Sequence, residues 1–203
     1  MYKKVIDFVY IDKITRNGLS VDHNAEFIKG LEYVCSNDVP GDFFDIGCWT
    51  GTVSLFAATF FKLNNINKKI YLFDTFEGHL PKQRTEKDST WGSDLQPFYN
   101  VNIEEINKAF EIVGYNNYEI VKGDIFNTLP GYKTHSISFA SLDLNYYTPT
   151  KFALEFLHSN NFKGVIFEDD YENIEGITDA FNENINIKKN AVLKSVRGGF
   201  FNF

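Results

Sequence analysis

Short apolar runs alternate with segments of helical periodicity along most of this 203-residue chain. The apolar runs predict buried strands at 43–46, 70–73, 118–122, 137–142 and 165–167. Helices are predicted between them, beginning with one through 25–34 that Asp22 would cap. Strands and helices that alternate at this spacing are typical of a mostly parallel sheet with helices on both faces, an α/β fold.

Two segments depart from this alternation. Residues 78–101 are polar, contain two prolines and show no period, which is typical of a functional loop, and we predict a substrate loop or lid. At the end of the chain, residues 191–196 and 200–203 flank Arg197-Gly198-Gly199, which predicts an antiparallel β-hairpin. The chain is therefore predicted to form a single domain over residues 1–203, with residues 1–38 as an N-terminal helical or lid segment.

Charge and cysteine content argue against several classes of protein. The net charge of −7 is unsuited to nucleic acid, because phosphate backbones require clustered Lys and Arg. No apolar run approaches ~18 residues and no signal-peptide pattern is present, so we expect no membrane partner. Cys35 and Cys48 form neither a disulfide framework nor a CxxC motif. These features together predict a cytoplasmic protein.

A glycine-containing loop follows the first predicted strand. Its sequence is Asp45-Ile46-Gly47-Cys48-Trp49-Thr50-Gly51, and a helix begins directly after it. Glycines at such a turn let the backbone approach a ligand, and the N–H groups at the helix start can face that ligand. The loop differs from the dinucleotide pattern G-x-G-x-x-G, so a structural turn stays open as the alternative to a cofactor site.

Acidic residues end the next two predicted strands. Asp74, in Asp74-Thr75-Phe76, stands where a carboxylate can accept both hydroxyls of a ribose. Asp124, in Gly123-Asp124-Ile125, could bind a base or cap the following helix. The predicted cofactor-binding residues are Asp45, Gly47, Cys48, Trp49, Thr50, Gly51, Asp74, Thr75, Phe76, Gly123, Asp124 and Ile125.

Acidic residues also follow the last two parallel strands. Asp143 follows the strand at 137–142, and Asp169 and Asp170 follow the strand at 165–167. Adjacent parallel strands would bring these carboxylates together, and such a cluster is favourable when a cation neutralises it. Oxygen ligands indicate Mg²⁺, with Mn²⁺ or Ca²⁺ as alternatives. The other interpretation is that Asp169 and Asp170 cap the next helix.

Several motifs together resemble those of the macrocin- and mycinamicin-type sugar O-methyltransferases. The similar segments are Val39-Pro40-Gly41-Asp42-Phe43, Asp74-Thr75-Phe76-Glu77-Gly78, Gly123-Asp124-Ile125-Phe126-Asn127, Leu142-Asp143-Leu144-Asn145-Tyr146-Tyr147 and Gly164-Val165-Ile166-Phe167-Glu168-Asp169-Asp170-Tyr171. The resemblance implies a class I, Rossmann-like methyltransferase fold whose mostly parallel sheet ends in the C-terminal antiparallel β-hairpin. It also implies S-adenosylmethionine as cofactor and a Mg²⁺ ion.

The resemblance also assigns roles to individual residues. Gly47, Gly51 and Asp74 would hold the cofactor, and Asp124 would lie near its adenine. Asp143, Asp169 and Asp170 would be the metal ligands. The family places a catalytic histidine before the helix that here begins near residue 102, but residues 96–100 contain no histidine.

The expected reaction is methylation of an acceptor hydroxyl. A metal that binds two neighbouring oxygens would lower the pKa of the attacking hydroxyl, which favours a small-molecule or glycan acceptor with vicinal hydroxyls. Asp143 and His79 are the candidate catalytic residues, with His79 as a base. The alternatives are a catechol- or phenol-type O-methyltransferase, an NAD-dependent oxidoreductase and a non-catalytic Rossmann-like domain. A homo-oligomer is also open, because the phenylalanines at 200–203 could bury at an interface or complete the sheet.

Overall fold

The computed structural model describes residues 21–88, 101–160, 162–168, 170–184, 192–195 and 198–202. Its strands are β1 (Asp42–Ile46), β2 (Ile70–Asp74), β3 (Tyr118–Lys122), β4 (Ile137–Leu142), β5 (Val165–Glu168), β6 (Val192–Ser195) and β7 (Gly198–Asn202). Its helices are α1 (Val21–Ser36), α2 (Thr52–Asn64), α3 (Ile103–Val113), α4 (Ile125–Thr128), α5 (Tyr147–Ser159) and α6 (Glu175–Glu183). Short 3₁₀ turns are present at Pro81–Gln83, Glu86–Asp88 and Leu129–Tyr132.

The strands form one sheet in the order β3-β2-β1-β4-β5-β7-β6. Strands β1 to β5 pair in parallel, whereas β7 pairs antiparallel with both β5 and β6. This sheet, with helices on both faces, confirms the predicted α/β, Rossmann-like fold. The residues that join β6 to β7 lie outside the described part of the chain, so the predicted hairpin turn stays a prediction.

Neighbouring residues of β1 point to opposite faces of the sheet and so belong to two separate cores. Phe43 packs on the side of α1, α2 and α3, and Phe44 on the side of α4, α5 and α6. Phe27 of α1 lies at the centre of the first core, with edge-to-face ring contacts to four phenylalanines, Phe43, Phe56, Phe139 and Phe167. These phenylalanine side chains therefore fill the first core.

The helix ends follow from local capping chemistry. The side chain of Asn102 accepts a hydrogen bond from the Glu104 N–H and starts α3, and Gly114 ends that helix in a left-handed conformation. Asp22 lies inside α1, so the prediction that it caps this helix is wrong. No helix in the described part of the chain is long and apolar enough to cross a membrane.

Both predicted special segments are only partly described. From the N-terminal segment, the structure describes α1, which buries Phe27 and Leu31 against the sheet. From the predicted substrate loop it describes residues 78–88 and residue 101, and residues 89–100 lie outside. The assignment of these segments as lid and substrate loop therefore stays a prediction.

Candidate active site

A cavity of about 630 Å³, including its open mouth, lies at the carboxyl ends of four parallel strands, β3, β2, β1 and β4. The described residues that line it are Gly47, Trp49, Phe73, Asp74, Thr75, Gly78, His79, Leu80, Gln83, Asp124, Ile125, Asp143, Leu144, Asn145 and Pro149. Open parallel sheets bind ligands at this edge. The cavity therefore has the position of a ligand site.

The carboxylate of Asp74 accepts hydrogen bonds from two loops at the cavity, the loop after β1 and the loop after β2. Its Oδ2 accepts a hydrogen bond from the Trp49 N–H at 2.8 Å, and its Oδ1 accepts one from the Phe76 N–H at 2.7 Å. Trp49 and Phe76 have positive φ angles of 44° and 55°. Asn145, in the loop after β4, has a φ of 59°. Left-handed backbone at bulky residues is unfavourable and is concentrated at functional sites, so these loops are held in a specific shape.

Gly47 allows the loop after β1 to contact the loop after β4. Its φ is 88°, and its N–H donates to the Phe73 carbonyl at 2.8 Å. A Cβ at this position would lie 2.1 Å from the backbone carbonyl oxygen of Asp143. Only glycine fits both the conformation and the space. The conformation of the glycine-containing loop after β1 therefore depends on this residue.

Two residues of the first motif, Asp45 and Cys48, are buried. Asp45 is buried beneath the cavity, where its Oδ2 accepts a hydrogen bond from the Ser54 hydroxyl of α2 at 2.6 Å. Burial, together with a smaller contribution from the charge of Asp74, raises the pKa of Asp45 to about 7. Cys48 packs in the core between the sheet and α2, and burial raises its pKa.

The assignment of these two residues to the cofactor stays a prediction. Strand alternation turns Asp45 to the same side of the sheet as Phe43, where it bonds to Ser54 of α2. Four further predicted cofactor-binding residues are not among the described residues that line the cavity. They are Thr50, Gly51, Phe76 and Gly123. Their assignment to the cofactor also stays a prediction.

Asp124 lines the cavity and also caps a helix. Its Oδ1 accepts hydrogen bonds from the Phe126 N–H at 3.2 Å and from the Gln83 side-chain amide at 2.9 Å. Its Oδ2 lies 3.1 Å from the Lys82 ammonium. The helix-capping alternative considered from the sequence is thus present, together with a cavity-lining position.

Asp143 lies at the other end of the cavity wall. Its N–H donates to the Ile46 carbonyl at 3.0 Å, and its Oδ1 accepts a hydrogen bond from the Asn145 amide at 2.9 Å. Leu142 pairs with Glu168 in the parallel register, so β4 and β5 end side by side. Asp170 donates its N–H to the buried Glu168 carboxylate at 3.1 Å.

The predicted metal centre is described only in part. Asp169 lies outside the described residues. Within the residues that the structure does describe, no group of three Asp, Glu, His or Cys side chains is placed to hold a metal ion. The ligand set of Asp143, Asp169 and Asp170 therefore stays a prediction.

His79 lies at the cavity wall beside Tyr146, with 5.0 Å between the ring centroids. Burial lowers the pKa of His79, and the negative charge of Asp74 opposes this shift in part. The net effect favours the neutral imidazole at neutral pH. A neutral imidazole is the form that can accept a proton.

Several cavity-lining residues were not predicted. They are Phe73, Gly78, Leu80, Gln83, Leu144 and Pro149. Leu80 and Gln83 belong to residues 78–88, which the sequence predicted as part of one long loop but which contain two 3₁₀ turns. Asp88 fastens this segment, because its buried carboxylate accepts hydrogen bonds from the Tyr147 N–H, the Thr85 N–H and the Thr85 hydroxyl. The Thr85-x-x-Asp88 spacing is a capping-type signal that could have predicted this order.

Comparisons with known proteins agree with this geometry. Residues 22–196 match the family described as macrocin O-methyltransferase (TylF). A curated relative from Streptomyces olivaceus, 8-demethyl-8-(2,3-dimethoxy-alpha-L-rhamnosyl)-tetracenomycin-C 4'-O-methyltransferase, is 27% identical over 183 residues, which cover 83% of this chain and 69% of the relative.

Solved structures show the same fold. The O-methyltransferase NovP has a TM-score of 0.80 and 18% identity, over 90% of this chain and 79% of NovP. The calicheamicin methyltransferase CalS11 has a TM-score of 0.74 and 17% identity, over 97% of this chain and 91% of CalS11. The match to the family covers most of the chain and confirms the resemblance predicted from the motifs. The chain belongs to the macrocin O-methyltransferase family and is an S-adenosylmethionine-dependent methyltransferase.

Proposed function

We propose that this enzyme methylates a hydroxyl of a sugar or glycosylated metabolite with the help of a divalent cation. The observation that carries the proposal is the single cavity that runs along the strand ends from Asp124, past Asp74, to Asp143. It offers a polar cofactor end and an acidic acceptor end. The curated relative supports a sugar acceptor, since its name describes a 4'-O-methyltransferase of a compound that carries a rhamnosyl group.

The residues around Asp74 suit the ribose of the cofactor. Its Oδ2 accepts one backbone hydrogen bond and keeps a further lone pair for a ligand hydroxyl, whereas its Oδ1 accepts from the Phe76 N–H and, at 3.4 Å, from the Thr75 hydroxyl. Gly47 lets the loop after β1 lie directly against the Asp143 backbone, where a Cβ would not fit. When bound, S-adenosylmethionine supplies an electrophilic methyl group. The loops after β1 and β2 would hold its nucleoside part, and the loop after β4 would face the acceptor.

Asp143, Asp169 and Asp170 are the proposed metal ligands. The register of β4 and β5 brings the positions after Leu142 and Glu168 to the same edge of the sheet. The Asn145 amide fixes the Asp143 carboxylate. These are oxygen donors of the kind that Mg²⁺ prefers, and a bound cation supplies positive charge that favours the ionised form of an acceptor hydroxyl.

His79 is the proposed base. Its place at the cavity wall and its lowered pKa keep the imidazole neutral near pH 7. Tyr146 packs against its ring and restricts the ring's orientation. A neutral, oriented imidazole at the mouth of the acceptor end can take the proton of a hydroxyl.

The proposal is tested by calorimetry and by acceptor profiling. Binding of S-adenosylhomocysteine is measured with and without Mg²⁺, and methyl transfer is then measured with rhamnosides and with catechols. We expect binding of S-adenosylhomocysteine and Mg²⁺-dependent transfer to a rhamnoside. Transfer to catechols alone would overturn the sugar acceptor, and rhamnoside transfer at an unchanged rate in the presence of a chelator would overturn the role of the metal.

A further inference from the structure

We infer that Gln83, oriented by Asp124, recognises the exocyclic amino group of the cofactor's adenine. This inference deepens the proposed function and depends on the binding of S-adenosylmethionine in the cavity described above. It gives Gln83 the base-recognition role that the sequence assigned to Asp124. Asp124 then acts as a positioning residue for Gln83.

The hydrogen-bonding capacity of Asp124 is largely used within the fold. Its Oδ1 accepts from the Phe126 N–H at 3.2 Å and from the Gln83 Nε2 at 2.9 Å. Its Oδ2 lies 3.1 Å from the Lys82 ammonium, and only 11% of the Asp124 side chain is exposed. A carboxylate engaged on both oxygens by the fold is a poor first choice for ligand recognition. It is well suited to holding a neighbouring side chain in place.

The contact with Asp124 determines which way the Gln83 amide points. The NH₂ group must face the carboxylate, because a carbonyl oxygen in the same place would repel it. The Oε1 of Gln83 is therefore the remaining polar atom of this side chain. No donor among the described residues bonds to it. Gln83 lines the cavity, so this acceptor is available to a ligand there.

The order of the strands assigns the adenine to this end of the cavity. The edge runs from Asp124 after β3, through Asp74 after β2, to Asp143 after β4 on the far side of β1. A ribose at Asp74 has the acidic acceptor end on one side and the wall of Gln83 and Ile125 on the other. The base therefore lies toward β3, where Ile125 offers an apolar surface and Gln83 an acceptor.

The backbone around Gln83 is ordered before any ligand binds. The Gln83 N–H donates to the Leu80 carbonyl at 2.9 Å, and the Arg84 N–H donates to the Pro81 carbonyl at 3.2 Å. The buried Asp88 then joins this segment to the first turn of α5. An acceptor placed on such a fixed turn can distinguish an amino group from a carbonyl at the same position of a base.

The test compares two ligands in four proteins. Calorimetry measures the dissociation constants of S-adenosylhomocysteine and of S-inosylhomocysteine, in which a carbonyl replaces the amino group. The proteins are the unmodified chain, Gln83→Leu, Asp124→Ser and Lys82→Met. Serine also caps helices well, so Asp124→Ser keeps the start of α4, but its shorter side chain no longer reaches the Gln83 amide.

The unmodified chain is expected to bind S-adenosylhomocysteine roughly tenfold more tightly than the inosyl analogue, the ratio typical of one well-placed hydrogen bond. Gln83→Leu should bind both ligands about equally. Asp124→Ser should lose most of the preference, because the Gln83 amide is no longer held by the carboxylate and can turn its NH₂ to the inosyl carbonyl. Lys82→Met removes the exposed contact to the same carboxylate and should keep the preference.

Two results would overturn the role of Gln83. One is an unchanged preference in Gln83→Leu, and the other is an equal loss of affinity for both ligands, which would make Gln83 a shape-determining part of the wall only. Failure of the unmodified chain to bind S-adenosylhomocysteine at all would instead overturn the proposed function. The two failures are therefore distinguished in the same experiment.

Discussion

Asp74 Oδ2 and the backbone N–H of Trp49 are joined by a 2.8 Å hydrogen bond that connects the end of β2 to the loop after β1. The other oxygen of Asp74 holds the Phe76 N–H in the same way. One carboxylate therefore fixes two loops whose left-handed residues would not hold their conformations alone. The same side chain shapes the cavity and is proposed to bind the ribose.

Asp74→Asn should weaken binding of S-adenosylhomocysteine by at least about tenfold, since charge-assisted hydrogen bonds contribute roughly 1.5–3 kcal/mol each. An amide can accept from only one of the two N–H groups and places a donor against the other. Calorimetry measures the loss. Glu77→Gln, at an exposed acid three residues away that pairs with Lys122, is the matched control and should bind normally. Equal affinities of the two variants would contradict this role.

Gly47→Ala should abolish ligand binding in the cavity. Its Cβ would lie 2.1 Å from the Asp143 carbonyl oxygen, and its φ of 88° is unfavourable for alanine. The loops after β1 and β4 must therefore separate. Gly131→Ala is the control, because no atom lies within 4 Å of a Cβ built there. We expect binding to be lost in the first variant and retained in the second, and a Gly47→Ala protein with normal affinity would refute the close contact.

Asp88→Ala should destabilise the protein and loosen the wall that carries Gln83. The substitution leaves the buried N–H of Tyr147 and the Thr85 groups without their acceptor. Loss of a buried acceptor costs roughly 1–3 kcal/mol of unfolding free energy. Urea denaturation measures that change, and calorimetry measures the weaker binding of S-adenosylhomocysteine. Glu86→Ala, an exposed acid in the same turn, serves as control, and equal stability of the two variants would contradict the anchoring role.

Local periodicity was sufficient to predict the strands and the sheet edge that forms the site. The predicted bounds of β3 and β4 match those observed, because apolar runs between polar turns define buried strands closely. Helix α5 begins at Tyr147 and includes Pro149, since a proline is tolerated in the first turn of a helix. Asp74, Asp124 and Asp143 were found because carboxyl ends of parallel strands share one edge.

Contacts between distant parts of the chain could not be predicted in this way. Gln83 and Asp124 are far apart in sequence, and the bond between them depends on how residues 78–88 fold over the edge. The role of Asp45 depends on the face to which β1 turns it, and on the position of Ser54 in α2. Such contacts require the tertiary arrangement of elements, whereas periodicity reports only the elements themselves.

Removal of Mg²⁺ should slow methyl transfer to a sugar acceptor with little effect on binding of S-adenosylhomocysteine. Asp143 lines the proposed acceptor end of the cavity, whereas Asp74 and Gln83 line its proposed cofactor end. Asp143→Asn should reproduce the effect of a chelator on the rate. Calorimetry and initial rates with and without added Mg²⁺ separate the two steps. Ligand binding that depends on Mg²⁺ as strongly as the rate does would place the cation elsewhere.

The buried Asp45 should make the unfolding free energy fall as pH rises, and substitution of Asp45 should remove this dependence. Its pKa is raised from 3.8 to about 7 in the folded protein, so between these pH values the folded state binds more protons than the unfolded state. Unfolding free energy must therefore fall as pH rises through this window, by up to about 1.4 kcal/mol per pH unit. Asp45→Asn removes the ionisation and with it this loss.

The stability difference between Asp45→Asn and the unmodified chain should consequently grow in favour of the variant from about pH 4 to pH 7 and stay constant above. Urea denaturation at several pH values measures it. Ser54→Ala is a useful companion, because it removes the hydrogen bond that lowers the Asp45 pKa, and the window should then extend above pH 7. If the difference in unfolding free energy between the two proteins stayed the same at every pH, Asp45 would ionise at its ordinary pKa in the folded protein. Burial beside Ser54 would then not favour the protonated carboxyl group.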